Sequence, residues 1–247
     1  MKPIALAAAL ALCASAALAE PTHVMVRAQS LDAKFIGSQM GGVQVTLRDA
    51  RTGKVLAKGL TRGGTGDTAR IMRMPRERGA VIAGGDTAGF DAVLDLKQPT
   101  LVKAEAFGPA GSPASAVQVS SSLWVIPGRD VAGDGWILTF PGLAIEPRAT
   151  PGADGSLRVE AKVTLMCGCP IEPGGLWDAA QYGVTAALLR GGRQVAQIPL
   201  AYAGRPSQFA ADLPKVRPGR YVLRIVATDT RTPNAGVVEI PVRISAR

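Results

Sequence analysis

Two cysteines separated by a single glycine are the strongest candidates in this sequence for reactive or metal-binding side chains. Cys167 and Cys169 follow Met166, so two thiols and a thioether lie within four residues. Soft ligands of this kind favour Cu(I), whereas tetrahedral zinc needs two further ligands that the sequence does not obviously supply. The same pair can instead form a disulfide, because the intervening glycine gives the backbone the freedom that a small ring requires. Three alternatives stay open: a structural disulfide, a Cu(I) site and a redox-active thiol pair.

Three further residues could complete a soft-metal site. Met72 and Met74 form a second pair of thioethers, and His23 is the only histidine in the chain. The two methionines also have an ordinary interpretation, since methionine often fills gaps in cores and loops. We keep Met72, Met74 and His23 as additional candidate ligands for Cu(I) and predict no other cofactor.

Hydrolytic catalysis is poorly supported by the sequence. Nucleophilic catalysis with a histidine base would depend on His23 alone. No Gly-x-Ser-x-Gly elbow, phosphate-binding glycine loop or His-rich metal motif occurs. Paired carboxylates could act on glycosides, but aromatic residues make up only 4% of the chain, too few for the platforms that usually line such clefts. The sequence therefore predicts a protein that is not an enzyme.

Four arginines crowd one short stretch and form a candidate partner-binding site. Arg70, Arg73, Arg76 and Arg78 are accompanied only by Glu77, in a chain of net charge +9. A basic loop of this kind can hold an acidic protein surface, an anionic lipid headgroup or a polyanion, or it can simply be solvated. No aromatic stacking surface accompanies the charge, which argues against nucleic acid. The partner that we predict is an unknown protein, and an acidic surface on it is one of these alternatives.

Trp177 lies in the turn that follows the cysteines. The segment Gly174-Gly175-Leu176-Trp177-Asp178 is typical of a turn that leads into a single helical turn. An indole there could shield a bound copper ion, anchor a partner in a pocket, or close the open end of a sandwich core. We take Trp177 as a candidate partner-binding residue with these alternatives open.

The start of the sequence has the pattern of an export signal. An uncharged Ala/Leu run over residues 4–18 follows a positive start, and Ala17-Leu18-Ala19 fits the site of a signal peptidase. Cleavage near Ala19 would also remove Cys13, which leaves only the Cys-Gly-Cys pair, in an oxidising compartment. No later segment is apolar over the roughly eighteen residues that a membrane helix requires. The sequence predicts a soluble periplasmic or secreted protein without an integral membrane segment.

Period-2 alternation of apolar residues recurs along the rest of the chain, as in Val43, Val45 and Leu47, and helical periodicity is almost absent. About seven short strands fall on each side of a turn-rich stretch, the number expected for a β-sandwich. We predict an all-β protein of two immunoglobulin-like β-sandwich domains in tandem, with Trp136–Ile145 as the first strand of the second domain. The predicted parts are a signal peptide over residues 1–19, a first domain over 20–128, a linker over 129–135 and a second domain over 136–247.

Three segments resemble known families at the level of the fold. Residues 42–61 resemble the opening of the carboxypeptidase-regulatory-like β-sandwich modules of exported bacterial proteins, although Arg62-Gly63-Gly64 replaces the Asp and Gly that often follow. Residues 218–229 resemble the penultimate strand of bacterial immunoglobulin-like domains, in which a tyrosine, here Tyr221, ties down the preceding loop. The segment 166–178 is similar to a signature of exported two-domain bacterial proteins. These resemblances imply two sandwiches and transfer no activity, because such folds host scaffolding, adhesion and ligand binding alike.

The function that these observations predict is that of a non-enzymatic periplasmic binding or interaction module. A copper(I)-handling protein that uses Met166, Cys167 and Cys169 is the alternative, and a thiol–disulfide factor is a further one. Pro170 should end the strand before it, which would leave the cysteines in a loop or rim where the sulfurs can reach a ligand or each other. Reduced sulfurs would favour the metal site, and oxidised sulfurs the structural disulfide.

Overall fold

The computed structural model describes residues 20–152 and 155–245, so the predicted signal peptide lies outside the described residues. Strands dominate this part of the chain, as the alternating pattern predicts. It contains fifteen strands and four helical segments of three to five residues each. No helix within the described ranges is long and apolar enough to cross a bilayer.

Seven strands form the first sandwich: β1 (Glu20–Ser30), β2 (Gln44–Asp49), β3 (Val55–Leu60), β4 (Phe90–Leu96), β5 (Thr100–Gly108), β6 (Val117–Val125) and β7 (Val131–Phe140). One sheet has the order β4-β1-β7 and the other has the order β3-β2-β5-β6. Neighbouring strands are antiparallel, except that β1 and β7 run parallel. Alternate residues of each strand point inward, such as Val24 and Val26 on β1, and together they form one buried core.

Eight strands form the second sandwich: β8 (Leu143–Pro151), β9 (Leu157–Leu165), β10 (Tyr182–Arg190), β11 (Arg193–Pro199), β12 (Ala201–Tyr202), β13 (Gln208–Leu213), β14 (Gly219–Asp229) and β15 (Ala235–Ile244). Its sheets have the orders β12-β13-β9-β8 and β11-β10-β14-β15. With the strands lettered along the chain, these are the sheets D-E-B-A and C′-C-F-G, the arrangement of a constant-type immunoglobulin domain with one extra edge strand. The first sandwich has the same two-layer architecture with a different strand order. The predicted fold class, two immunoglobulin-like sandwiches in tandem, is confirmed.

Tyr221 forms the corner that its position near the start of β14 predicts. The ring is 5% exposed, and the hydroxyl donates to the carbonyl of Arg217 at 2.5 Å. This bond ties the loop before β14 to the sandwich, as in the tyrosine corner of immunoglobulin-like domains. The resemblance of residues 218–229 to the penultimate strand of such domains therefore extends to the contact that the tyrosine makes.

The division between the two sandwiches differs from the predicted one. The predicted linker over residues 129–135 runs into β7, and β7 pairs with β1 of the first sandwich. The predicted strand Trp136–Ile145 is two strands. Trp136, Leu138 and Phe140 are buried in the first core, whereas Leu143 and Ile145 are buried in the second. The chain passes between the sandwiches at Pro141 and Gly142. Alternation continues on both sides of this pair, so the pattern alone did not separate one long strand from two.

Candidate functional site at the junction of the two sandwiches

Cys167 and Cys169 form a disulfide in the turn that ends β9. Their sulfurs lie 2.13 Å apart, and Gly168 between them has a φ of 77°, in the left-handed region that glycine adopts without steric cost. The amide of Gly168 donates to the carbonyl of Leu165 at 2.8 Å, which closes the turn. The pair therefore lies at the end of a strand, as its sequence position indicates.

The disulfide is buried, whereas the sequence predicted an accessible loop or rim. Cys167 is 0% exposed and Cys169 is 3% exposed, and both pack in the core of the second sandwich. The chain after the pair is held against that sandwich, because the amide of Ile171 donates to Oγ of Ser207 and the amide of Ser207 donates to the carbonyl of Ile171. With both cysteines buried, the disulfide is not presented to solvent as a ligand site or as a target for a partner thiol.

The other predicted copper ligands do not gather around the cysteine pair. Met166 is 1% exposed and packs in the core of the first sandwich, not in the core that contains the cysteines. His23 lies on β1, where Nδ1 approaches Oδ2 of Asp91 at 3.1 Å on the exposed surface. Met74 is exposed, while Met72 is half-buried and packs against the second core. The described residues hold no group of three or more His, Cys, Asp or Glu side chains that could bind a metal. This arrangement does not fit a Cu(I) site, and copper binding stays a prediction from the sequence.

Trp177 joins the two sandwiches. Its indole is 7% exposed, packs in the second core, and donates from Nε1 to the carbonyl of Asp32 in the first sandwich at 3.0 Å. These contacts match a residue that closes the end of a core, and a part in partner binding stays a prediction. The neighbouring residue, Leu176, is apolar and 40% exposed. Sequence reasoning missed Leu176 because a single leucine in a turn belongs to no periodic pattern.

Asn234 provides a second buried bridge across the junction. It is 1% exposed, donates from Nδ2 to the carbonyl of Leu31 at 3.0 Å, and accepts at Oδ1 from the amide of Gly142 at 2.8 Å. Nearby, Nε2 of Gln39 donates to the carbonyl of Cys167 at 3.0 Å. The sandwiches therefore meet through directional hydrogen bonds as well as apolar packing, which fixes the position of one relative to the other.

A cleft of about 520 Å³ opens at this junction. The lining residues from the first sandwich are Lys34, Gln39, Thr65, Thr68 and Arg73, and those from the second include Cys169, Glu172, Leu176 and Trp177. Three residues that the sequence singled out for separate reasons, Arg73, Cys169 and Trp177, thus meet at one site. The first wall is basic, and Lys34 is oriented there by a hydrogen bond from Nζ to Oγ1 of Thr68 at 3.0 Å.

The predicted basic loop lies at the rim of this cleft, in the connection between β3 and β4. Oδ1 of Asp67 accepts from the amide of Arg70 at 2.7 Å, at the start of the helical turn Ala69–Arg73. Ile71 is buried beneath this turn, and Arg76 donates to its carbonyl. The four predicted arginines, Arg70, Arg73, Arg76 and Arg78, are all exposed. None of them forms an ion pair with a residue that the structure describes.

Two charged side chains of the first sandwich hold the second half of this loop in place. Asp134 lies in β7, where the pairing with β1 shifts register, and its Oδ1 accepts from the amides of residues 82–83 at 2.8 and 2.7 Å. Arg27 on β1 is 7% exposed and donates to the carbonyls of residues 87–88. Burial lowers the pKa of the Arg27 guanidinium, and the charge of Asp134 acts in the opposite direction. The arginine-bearing loop is therefore fastened to the sandwich and not free along its whole length.

Similarity to known proteins is distant. No family model matches the chain, and no curated protein sequence is significantly similar to it. Similar solved structures include the alpha chain of the chicken interferon gamma receptor, at 9% identity and a TM-score of 0.35, over 92% of this chain and 99% of that one. The titin domains Z1Z2, solved in complex with telethonin, are similar at 10% identity and a TM-score of 0.23, over 92% of this chain and 90% of that one. The class defined by the strand order and the two cores is an all-β protein of two immunoglobulin-like sandwiches in tandem.

Proposed function

We propose that this protein is an exported, non-enzymatic binding module that holds an acidic protein segment at the cleft between its two sandwiches. The observation that carries the proposal is the group of exposed arginines on one anchored loop, none of them ion-paired within the described residues. Two other exposed arginines form ion pairs with an acidic neighbour, Arg158 with Asp212 and Arg224 with Glu239. The charges of the basic loop thus remain available for a ligand.

Electrostatics favours a carboxylate-bearing ligand with a defined orientation. A guanidinium recognises carboxylates well, because its planar fork of donors matches both oxygens. Arg73 and Lys34 line one wall of the cleft, whereas Glu172 lines the opposite wall. An acidic segment is therefore expected to turn its carboxylates toward the first sandwich and away from Glu172. The remaining arginines of the loop would attract such a segment before it is seated.

Apolar contacts at the same place support a segment that is not acidic throughout. Leu176 is 40% exposed on the cleft wall, and Met74 is 60% exposed directly after Arg73. Exposed apolar side chains beside a charged patch supply contact area that charge alone does not give. We infer that the preferred ligand combines acidic residues with at least one large apolar side chain.

The composition of the cleft supports binding and not catalysis. Its ionisable side chains are Lys34, Arg73 and Glu172. His23, the only histidine of the chain, lies on the exposed surface of β1 beside Asp91 and does not line the cleft.

The proposal that the protein is exported rests on the sequence pattern of residues 1–19 and has its own test. Intact mass of protein recovered from the periplasm should match a chain that starts at Glu20, and retention of residues 1–19 would contradict export by cleavage.

The binding test uses a short labelled peptide of repeated Glu-Glu-Leu, measured by fluorescence anisotropy. The variant replaces Arg70, Arg73 and Arg78 by glutamine and leaves Arg76 in place, because Arg76 also bonds the loop backbone. We expect this triple variant to weaken binding by about tenfold or more, since the charges are lost where the carboxylates are held.

A matched control removes the same amount of charge elsewhere on the surface. It replaces three exposed arginines away from the cleft by glutamine: Arg51, Arg193 and Arg243. We expect this control to weaken binding less than about threefold, because charges beyond a Debye length from the site are screened. Equal losses in the two triple variants, or no binding of the peptide to the parent protein, would contradict the proposal.

A further inference from the structure

The free edges of the four sheets differ in their protection against pairing with another chain. Edge strands expose unpaired amides and carbonyls, and proteins usually block them with charges, prolines, bulges or short length. In the described ranges, all edge strands except β6 carry such a feature. These features are Lys58 on β3, Asp95 on β4, Asp134 on β7, Pro147 on β8, Arg193 on β11 and Pro241 on β15, while β12 has only two residues.

The strand β6 lacks all of these protections. Its nine residues, Val117–Val125, include no charge and no proline, and the serines in its middle, Ser120–Ser122, are exposed. Its only hydrogen-bonded strand neighbour within the described part of the chain is β5. The strand β7 of the other sheet lies near it but does not pair with it, so the amides and carbonyls of the outer edge of β6 have no strand partner. Trp124 on β6 is 62% exposed, and Phe107 on β5 is 45% exposed. A long, uncharged edge with exposed aromatic residues beside it is suited to accept another strand.

The sequence of β6 is close to palindromic about Ser121, which favours a second copy of the same strand. Two antiparallel copies aligned at Ser121 give the pairs Val117 with Val125, Gln118 with Trp124, Val119 with Leu123, and Ser120 with Ser122. The valines and Leu123 thus meet one another, serines meet serines, and Gln118 meets Trp124, across the two-fold axis that an interface between identical copies requires. Within one copy, Gln118 on β6 is next to Phe107 on β5. In the dimer, Trp124 of the other copy is on the other side of Gln118, so the two aromatic residues lie on the same face of the joined sheet with Gln118 between them.

We propose that β6 pairs with β6 of a second copy, which joins two four-stranded sheets into one continuous sheet across a two-fold axis. Antiparallel pairing over the full strand gives about eight to ten main-chain hydrogen bonds. Two copies of a chain with a net charge of +9 repel each other. Because β6 has no charged residue, pairing along this strand does not place like charges of the two strands against each other. The contact is small, so we expect a dissociation constant in the micromolar range. None of the residues of β6 lines the cleft, so the inference is independent of the proposed function.

The test is sedimentation velocity of the purified protein over a range of concentrations, at low and high salt. We expect a monomer–dimer equilibrium with little dependence on salt, because β6 carries no charge. Ser121→Lys places two like charges against each other at the axis and should raise the dissociation constant more than about tenfold. The matched control, Gln197→Lys, adds the same charge to an exposed position of the edge strand β11 and should leave the equilibrium unchanged.

A second variant keeps the test decisive if Ser121→Lys disturbs folding. Ser121→Cys should form an intermolecular disulfide under mild oxidation, because the two-fold axis places residue 121 of one copy opposite residue 121 of the other. Peptide mass spectrometry identifies the link. A parent protein that stays monomeric at all concentrations, a dimer that Ser121→Lys leaves intact, or a folded Ser121→Cys variant without the link would each overturn the proposal.

Discussion

The second sandwich buries its most distinctive side chains, whereas the first sandwich exposes its own. In the second sandwich, the disulfide of Cys167 and Cys169, the indole of Trp177 and the hydroxyl of Tyr221 all have partners inside the protein. In the first sandwich, the arginines of the basic loop and the uncharged edge of β6 face solvent. Residue types that suggest chemistry in the sequence are therefore buried and bonded within the protein in one half of the molecule, and candidate binding surfaces lie in or beside the other.

This difference has a direct consequence for mutagenesis. Changes to the buried groups of the second sandwich should alter the free energy of unfolding, and changes to the exposed groups of the first should alter association and leave stability nearly unchanged.

Trp177→Ala should give the largest loss of stability. Removing a buried indole costs about 3–5 kcal/mol, and here it also removes the hydrogen bond to Asp32 across the junction. Urea denaturation followed by circular dichroism measures the change. Trp124→Ala is the matched control, since Trp124 is 62% exposed and its loss should cost less than about 0.5 kcal/mol. A similar loss of unfolding free energy for Trp177→Ala and Trp124→Ala would contradict the difference between buried and exposed groups.

Replacing both cysteines, Cys167→Ala together with Cys169→Ala, should have a moderate effect. A disulfide that closes so short a loop restricts the unfolded chain little, so we expect a loss of about 1–2 kcal/mol. The melting curve of the double variant measures it, with the fold retained. Because the sulfurs are buried, reductant should leave the native protein oxidised until it unfolds. Ready reduction of the native protein, with one copper ion then bound per chain, would favour the copper alternative instead.

Tyr221→Phe should cost about 1 kcal/mol. The substitution keeps the buried ring and removes only the hydroxyl that donates to the Arg217 carbonyl. Denaturant titration of the two proteins is the measurement, with Tyr202→Phe as the control, because Tyr202 is only half-buried and lies outside the corner. An unchanged denaturation midpoint for Tyr221→Phe would contradict a stabilising role of the tyrosine corner.

The smallest stability effect concerns the first sandwich and depends on pH. The amides of Thr52 and Arg51 donate to the carboxylate of Asp49 and lower its pKa. The folded-state pKa lies below the unfolded value, so the stabilisation is complete above about pH 4 and is lost as the pH falls through the folded-state pKa. Asp49→Asn should therefore reduce the acid dependence of the unfolding free energy, measured from neutral pH downward. An identical pH profile for the variant would contradict this prediction.

The sequence predicted the strands well because alternation is a local property of buried sheets. The turn after Asp49 is equally local, since the Asp49 carboxylate accepts from the amides of its own hairpin. The prediction from the sequence misplaced the boundary between the sandwiches, because the membership of β7 depends on pairing with β1, more than 100 residues earlier in the chain. No pattern in a single sequence reports a contact of that range.

The candidate site could be predicted only in part, for the same reason. The basic loop and Trp177 stand out by composition, but their meeting at one cleft depends on how the sandwiches dock. Asn234 had no signal at all, because its two hydrogen bonds join residues from distant parts of the chain. The free edge of β6 likewise depends on sheet order, which strand patterns do not contain.

The most direct test of the central claim is to map where an acidic ligand binds. Amide hydrogen exchange, followed by mass spectrometry, is measured with and without the Glu-Glu-Leu peptide. The account predicts slower exchange in residues 67–79 of the basic loop and in residues 172–177 on the opposite wall of the cleft, with the outer strands β11 and β15 unchanged. Protection spread evenly over the basic surface, or confined to segments that do not line the cleft, would contradict it.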